Sequence, residues 1–374
     1  MSSKKRIGLT LSGGGARAAY QAGVLSAIAE ITGEETSPFQ MISGVSAGAI
    51  NGMCLAADST NFKSAVSKMW ELWANITLDQ VIKTDNATLL GHGLKWLEVF
   101  TTGNLLVKQD PTFIFDTAPL RNFLCEQIDF SAIAKNLKGD SLSGVCVSAT
   151  SYQGHKAVSF FMSDGSVKPW NGATHCGVRK DIQAEHVMAS AALPIFFPPQ
   201  RIGVNDYGDG GIGLKTPLSP AIRLGAEKIL TIGIQNCDQS KTKEGRSRYV
   251  RSSVGDVSGT LLNSMLFGGL LDDVARCEGV NKMVKKYPAL KKEFREIPLL
   301  TIYPSRDLGQ LSSNQLSHVP FAVRHLLRGF GISNSKSWDL LSYLAFNHHY
   351  CGELLKLGHA DAIDRKREIR DFLR

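Results

Sequence analysis

The pentapeptide Gly44-Val45-Ser46-Ala47-Gly48 constrains this chain more than any other stretch. It follows the apolar run Met41-Ile42-Ser43 and opens a segment rich in small residues, Ala47 to Ala57. A serine set between two glycines at a strand-to-helix junction is the pattern of a nucleophile elbow. The sharp turn exposes the hydroxyl and brings the N-terminus of the following helix beneath it. An elbow of this kind needs strands that feed helices. The chain is therefore expected to be α/β, with a mainly parallel sheet covered on both faces.

A second glycine cluster lies 30 residues upstream, in Ser12-Gly13-Gly14-Gly15-Ala16-Arg17. It ends a predicted first strand, Arg6 to Leu11, and opens a predicted helix, Ala16 to Ile31, whose small residues permit close packing on a sheet. Three adjacent glycines can turn successive N–H groups toward one point without obstruction by side chains. A tetrahedral intermediate needs such donors, so Gly13, Gly14 and Gly15 are candidate oxyanion-hole residues. Arg17 is a candidate substrate-binding residue, able to pair with a phosphate or a carboxylate, or to brace the loop. The loop also fits G-x-G-x-x-A through Gly13, Gly15 and Ala18, as in dinucleotide sites. That reading wants an acidic residue at the end of a second strand. Here the second strand delivers Ser46 instead, so acyl-ester hydrolysis ranks above it.

A serine hydroxyl is a poor nucleophile until a base takes its proton. Asp209, in Tyr207-Gly208-Asp209-Gly210-Gly211, is read as a turn aspartate held by glycine amides and aimed at Ser46. A histidine between the two would make the usual triad. The histidines downstream of Asp209 are His318, His325, His348, His349 and His359, and no local pattern singles one out.

These residues resemble the patatin-like phospholipase family. The glycine loop Gly13 to Arg17, the elbow around Ser46 and Asp209-Gly210-Gly211 occur in the order of that family's motifs. Ala189-Ser190-Ala191-Ala192-Leu193-Pro194 through Phe197-Pro198-Pro199, and Leu214 to Ile234, fit two further family segments. Leu357 to Ala362 looks like a helix end near the family's C-terminus. The likeness covers roughly residues 5–234 in ordered motifs and weakens beyond them, with none assigned between 240 and 335. It implies a three-layer α/β/α sandwich, a Ser46–Asp209 dyad without histidine, lipid acyl hydrolase activity, and no metal or organic cofactor. Two rivals remain: a Ser-His-Asp carboxylesterase of the α/β-hydrolase type, and a non-catalytic lipid-binding effector.

The rest of the chain adds context. Residues 5–310 are expected to form the hydrolase domain, and 311–374 a helical C-terminal extension packed on it, with helices over Trp338 to Phe346, Tyr350 to Leu357 and Ala360 to Leu373. Residues 75 to 115 read as a surface insertion or a lid. No run of 18 apolar residues is present, and seven scattered cysteines without a C-x-x-C pair fit a reducing compartment. The expectation is a cytoplasmic protein, peripheral on a membrane or exported as an effector. A formal charge of +8 is concentrated in Lys241 to Arg251, Lys282 to Arg295 and Arg365 to Arg374. Such clusters are solvated faces or attract an anionic surface. Nucleic acid is disfavoured, because no helix-turn-helix, zinc or RNA-binding signature accompanies the charge. The expected partner is a lipid or membrane surface, with a homo-oligomer or an activating partner left open.

Overall fold

Alternation along the central strands sets up the whole architecture. The computed structural model describes residues 6–85, 88, 91, 113–139, 141–236, 254–329 and 338–374. In chain order the strands are β1 (Ile7–Leu11), β2 (Met41–Val45), β3 (Gly144–Ser151), β4 (Lys156–Ser163), β5 (Trp170–Asn171), β6 (His175–Arg179), β7 (Gln200–Ile202), β8 (Asn205–Asp209), β9 (Lys228–Ile232) and β10 (Leu299–Ile302). They form one mixed sheet in the order β10-β9-β1-β2-β3-β4-β6-β5, with β8 on β3 and β7 on β8. The five strands from β10 to β3 are parallel to one another, as expected for the core of an α/β fold. β4 turns back antiparallel on β3, with Ala149 opposite Val158.

Helices cover both faces because successive residues of a strand point to opposite sides. Leu9, Leu11, Ile42, Val145, Val147, Leu230 and Ile232 enter one buried cluster. That cluster holds residues of α1 (Ala19–Thr32), α2 (Ala47–Ala57) and α3 (Phe62–Asn75). Met41, Cys146 and Ile229, one position out of phase, enter a second cluster. It is closed by Leu218 and Ala221 beside Leu224, and by Leu270 and Val274. The helices on that side are α7 (Ser219–Leu224) and α8 (Val254–Lys286). The expected three-layer sandwich is therefore found. Smaller helices α4 (Ala118–Gln127), α5 (Phe130–Asn136) and α6 (Ala184–Ser190) lie between α3 and β7 in the chain.

The C-terminal region is helical: α9 (Phe321–Gly329), α10 (Trp338–Leu344), α11 (His348–Asp364) and α12 (Lys366–Leu373). α11 packs along α1 with the two backbones nearly touching. A Cβ at Gly358 would stand 2.1 Å from the Tyr20 carbonyl oxygen, and one at Gly23 2.1 Å from that of Leu355. Tyr20 Oη donates to Asp361 Oδ2 at 3.0 Å across the same contact.

Three expectations change. The helix expected to end near Leu357 continues through Gly358 as part of α11. Glycine reads as a stop signal in sequence, but here it supplies room for α1. Asp209 closes strand β8 and is not a turn residue; the turn begins at Gly210, because β3 offers β8 an edge to pair with as far as Asp209. The helix expected from Ala16 begins as a 3₁₀ turn, Gly15–Ala18, before α1. Most of the insertion expected over 75–115, and the basic cluster 241–251, lie outside the described residues. Among the described residues no helix is long and apolar enough to cross a membrane.

Candidate active site

The edge of β3 brings Ser46 and Asp209 together. One side of β3 pairs with β4 along its full length. The other side pairs first with β2, as far as Val45 opposite Ser148, and then with β8, starting at Asp209 opposite Ala149. β2 and β8 thus approach end to end along a single neighbour. The elbow that follows Val45 meets the aspartate that ends β8, although 163 positions separate them in the chain.

Ser46 occupies the turn with φ 54° and ψ −129°, in left-handed space that a side-chain-bearing residue rarely adopts. Gly44 and Gly48 make the turn possible. A Cβ at Gly48 would lie 2.5 Å from the carbonyl oxygens of Leu11 and Ser12, and one at Gly44 2.5 Å from the Gly48 oxygen. The same contact draws the end of β1, and hence the glycine loop, against the elbow. A Cβ at Gly13 would sit 2.9 Å from Ser46 Cβ. Among the described residues no acceptor takes the amide of Gly13 or of Gly14.

Ser46 and Asp209 line the same cavity, where the serine hydroxyl is near enough to the carboxylate to favour its charged form. Asp209 is 1% exposed and accepts the Gly211 N–H at 2.8 Å. Burial pushes its carboxyl up to about 6, against the opposing pull of the nearby Ser46 hydroxyl and the Gly211 amide. The Asp209 carbonyl is fixed separately, by Thr150 Oγ1 at 2.7 Å.

The sequence agrees with this geometry. The family model of patatin-like phospholipases matches residues 9–222, more than half of the chain, and spans the glycine loop, Ser46 and Asp209. The chain belongs to the patatin-like phospholipase family. No curated protein sequence matches it. Among solved structures it is similar to VipD from Legionella pneumophila, at 14% identity and TM-score 0.30 over 94% of this chain and 67% of that one. The type III effector ExoU is similar at 13% identity and TM-score 0.31, over 95% of this chain and 53% of that one. In the complex of SpcU with ExoU from Pseudomonas aeruginosa, the match is 19% identical, with TM-score 0.21, over 42% of this chain and 35% of that one. The chain thus spans only about half or a third of the length of the ExoU chains.

In this patatin-like domain two narrow cavities meet at Ser46. One, about 380 Å³ including its mouth, is lined by the glycine loop, Asp209, Leu193 and Tyr343. The other, about 430 Å³, runs under α2 between Ile50, Trp73 and Leu120. Phe197 and Phe346 border both. No histidine lines either cavity among the described residues. Of the downstream histidines, His318, His348 and His349 cluster at the surface, His325 stacks on Phe321, and His359 pairs with Glu30 at 3.1 Å.

Arg17 is 3% exposed and is not among the residues that line the two cavities. Its Nε donates to Ser342 Oγ at 2.7 Å, and its guanidinium lies 4.9 Å from the centre of the Tyr343 ring. It ties the glycine loop to α10. A buried polar network ties the loop to α2 as well. Gln21 Nε2 donates to the Ser12 carbonyl at 2.8 Å, Asn51 Nδ2 to Gln21 Oε1 at 3.0 Å, and Trp73 Nε1 to Asn51 Oδ1 at 2.7 Å.

Ser190 is the positioning residue that sequence reasoning did not single out. Its hydroxyl accepts the Ser46 N–H at 2.8 Å and donates to the Ser148 carbonyl at 2.6 Å. It bolts the elbow to β3. The only signal was its place in the Ala189-to-Pro194 segment quoted for the family.

Proposed function

We propose that the chain hydrolyses fatty-acyl esters of phospholipids or lysophospholipids through an acyl-enzyme on Ser46, with Asp209 as the base. The observation that carries this reading is that the Ser46 side chain and the buried Asp209 carboxylate line one cavity, beside two backbone amides that have no acceptor among the described residues. A carboxylate raised to about 6 is a stronger base than an exposed one and is still mostly ionised at neutral pH.

Asp209 takes the Ser46 proton as Oγ attacks the ester carbonyl. The carbonyl oxygen becomes the oxyanion, and the Gly13 and Gly14 amides are the donors set to hold it. Each well-aligned donor of this kind contributes on the order of 3 kcal/mol in the transition state. The tetrahedral intermediate collapses, the proton on Asp209 passes to the departing alkoxide, and the acyl group stays on Ser46. Water then attacks the acyl-enzyme, Asp209 takes its proton, and the fatty acid leaves with Ser46 restored. Every step uses side chains, backbone amides and water. That no histidine among the described residues borders either cavity supports the dyad over a Ser-His-Asp arrangement. Lipid is the substrate surface, so a peripheral membrane location goes with this reading.

The test compares wild type with Ser46→Ala on phospholipid and lysophospholipid vesicles, with fatty-acid release followed by mass spectrometry. Release falls to background in the variant. Release at the wild-type rate from folded Ser46→Ala would refute the assignment.

A further inference from the structure

We propose that Leu72 on α3 and Phe123 on α4 form the floor of an acyl-chain pocket and set the length of chain that the site accepts. This rests on the acyl-enzyme reading above and deepens it. The two cavities that meet at Ser46 differ in kind. The one toward Asp209 and the glycine loop offers backbone amides and a carboxylate, which suit the ester group. The one beneath α2 is walled by carbon: Ile50, Leu120 and the Trp73 ring stand among its lining residues. Trp73 presents only its apolar surface there, because its N–H is bound to Asn51 Oδ1. An acyl chain attached at Ser46 can bury its methylenes in that direction with no polar group left unpaired.

Leu72 and Phe123, each 8% exposed, are among the residues that line the apolar cavity. The same two side chains also border a third, much larger groove of about 1210 Å³ that opens to solvent between α3 and α4. The far side of that groove is a different environment. Asp58, Glu71, Glu126 and Asp129 line it together with Ala57, Ala65 and Met69, and Lys68 pairs with Asp58 at 2.6 Å. Leu72 and Phe123, which border both, therefore form a partition between an apolar slot and a wider, solvent-open groove. A chain that fits above the partition is fully buried. A longer one must displace these two side chains, and its terminal methylenes then enter a wide, solvent-open groove of mixed polarity, where they gain less burial. The partition thus favours medium chains, and shrinking it joins the slot to the groove and relieves the limit.

The test is a series of 4-nitrophenyl esters with butyryl, octanoyl and palmitoyl chains, read as kcat/KM ratios. Alkyl fluorophosphonates of matching length, scored by intact mass as adducts on Ser46, give a second readout that needs no turnover. Wild type prefers octanoyl over palmitoyl. Phe123→Ala and Leu72→Ala each raise the palmitoyl-to-octanoyl ratio by about tenfold, and Leu120→Trp, which narrows the slot above the floor, lowers it. Thermal unfolding confirms that each variant is folded. A ratio that stays at the wild-type value in both folded alanine variants overturns this inference alone. Wild type that cleaves no ester and takes no adduct overturns the hydrolase reading and this inference with it.

Discussion

Asp209 carries a measurable signature of its burial. An aspartate ordinarily titrates near 3.8, and here desolvation lifts it to about 6. The proposed base works only as the carboxylate, so kcat/KM on a neutral short-chain ester should rise with pH through about 6 and level off above it. A profile already flat from pH 5 upward would contradict that role. The same shift has a stability consequence of definite sign. The folded state binds the proton more tightly than the unfolded chain, so stability falls as pH rises from 3.8 toward 6, and the full penalty is present above that window. Asp209→Asn removes the buried charge while keeping an acceptor for Gly211. Urea unfolding at about pH 8 should show the variant more stable by up to about 3 kcal/mol, and the gain should vanish below about pH 4. Equal stability at both pH values would mean that the carboxylate is not desolvated. Ser46, Asp209 and the glycine loop stood out in the sequence because each role demands particular residue types in a fixed local pattern. Ser190 did not, since its partners at Ser46 and Ser148 lie 144 and 42 positions away. Nor could the sequence aim Arg17: a guanidinium after a glycine loop suits an anion or a brace equally, and Ser342 decides for the brace only in three dimensions.

Elements were readable where a strand or helix follows its own period, and less so where a neighbour overrides it. Leu142 to Thr150 and Lys156 to Met162 read in the sequence as paired strands joined through Gly154, and β3 and β4 are that pair. Arg6 to Leu11, Glu227 to Ile234 and Pro298 to Tyr303 read as strands, and β1, β9 and β10 lie within a residue or two of them, since short apolar runs flanked by polar residues are a strong strand signal. α8 was not foreseen: it runs 33 residues, and its glycines blur any helical stripe. α11 was split in two at Gly358, the residue that lets it lie against α1. This makes Gly358 a test of the contact. In an isolated helix, glycine to alanine gains about 1 kcal/mol. Here the new methyl group would meet the Tyr20 carbonyl at 2.1 Å, backbone that cannot swing aside. Gly358→Ala should therefore destabilise the protein by about 1–3 kcal/mol, seen as a lower midpoint in thermal or urea unfolding. A midpoint raised by the substitution would show that α11 and α1 separate readily.

At the scale of the molecule, the sheet has two unlike ends. The elbow, the glycine loop and Asp209 gather where the parallel strands finish, as ligand sites do in open α/β sheets. The basic residues from Lys282 to Arg295 lie where those strands begin, since Asn281 clasps Ile297 just before β10. The end of the last cluster, Arg370 to Arg374, lies there too, with Lys228 at the start of β9 donating to the Phe372 carbonyl. Charge counted along the chain carries no information about which end of the sheet it decorates. The C-terminal residues, by contrast, reach the site: Tyr343, Leu344 and Phe346 wall the cavity over Ser46, and Ser342 holds Arg17. α11 covers α1, whose buried face includes Tyr20, Val24 and Ile28. We therefore read residues 311–374 as part of the same folding unit as the sheet, and not as an appended module. Their removal would strip α1 of its cover, leave the Arg17 guanidinium buried without Ser342, and unroof Ser46. The truncated chain should lose its near-ultraviolet circular dichroism and show no cooperative thermal transition, because uncovering a helix face of that size costs more than the whole net stability of a typical domain, about 5–15 kcal/mol. A truncated protein that still melts cooperatively near the full-length midpoint would instead make the C-terminal region a separable domain.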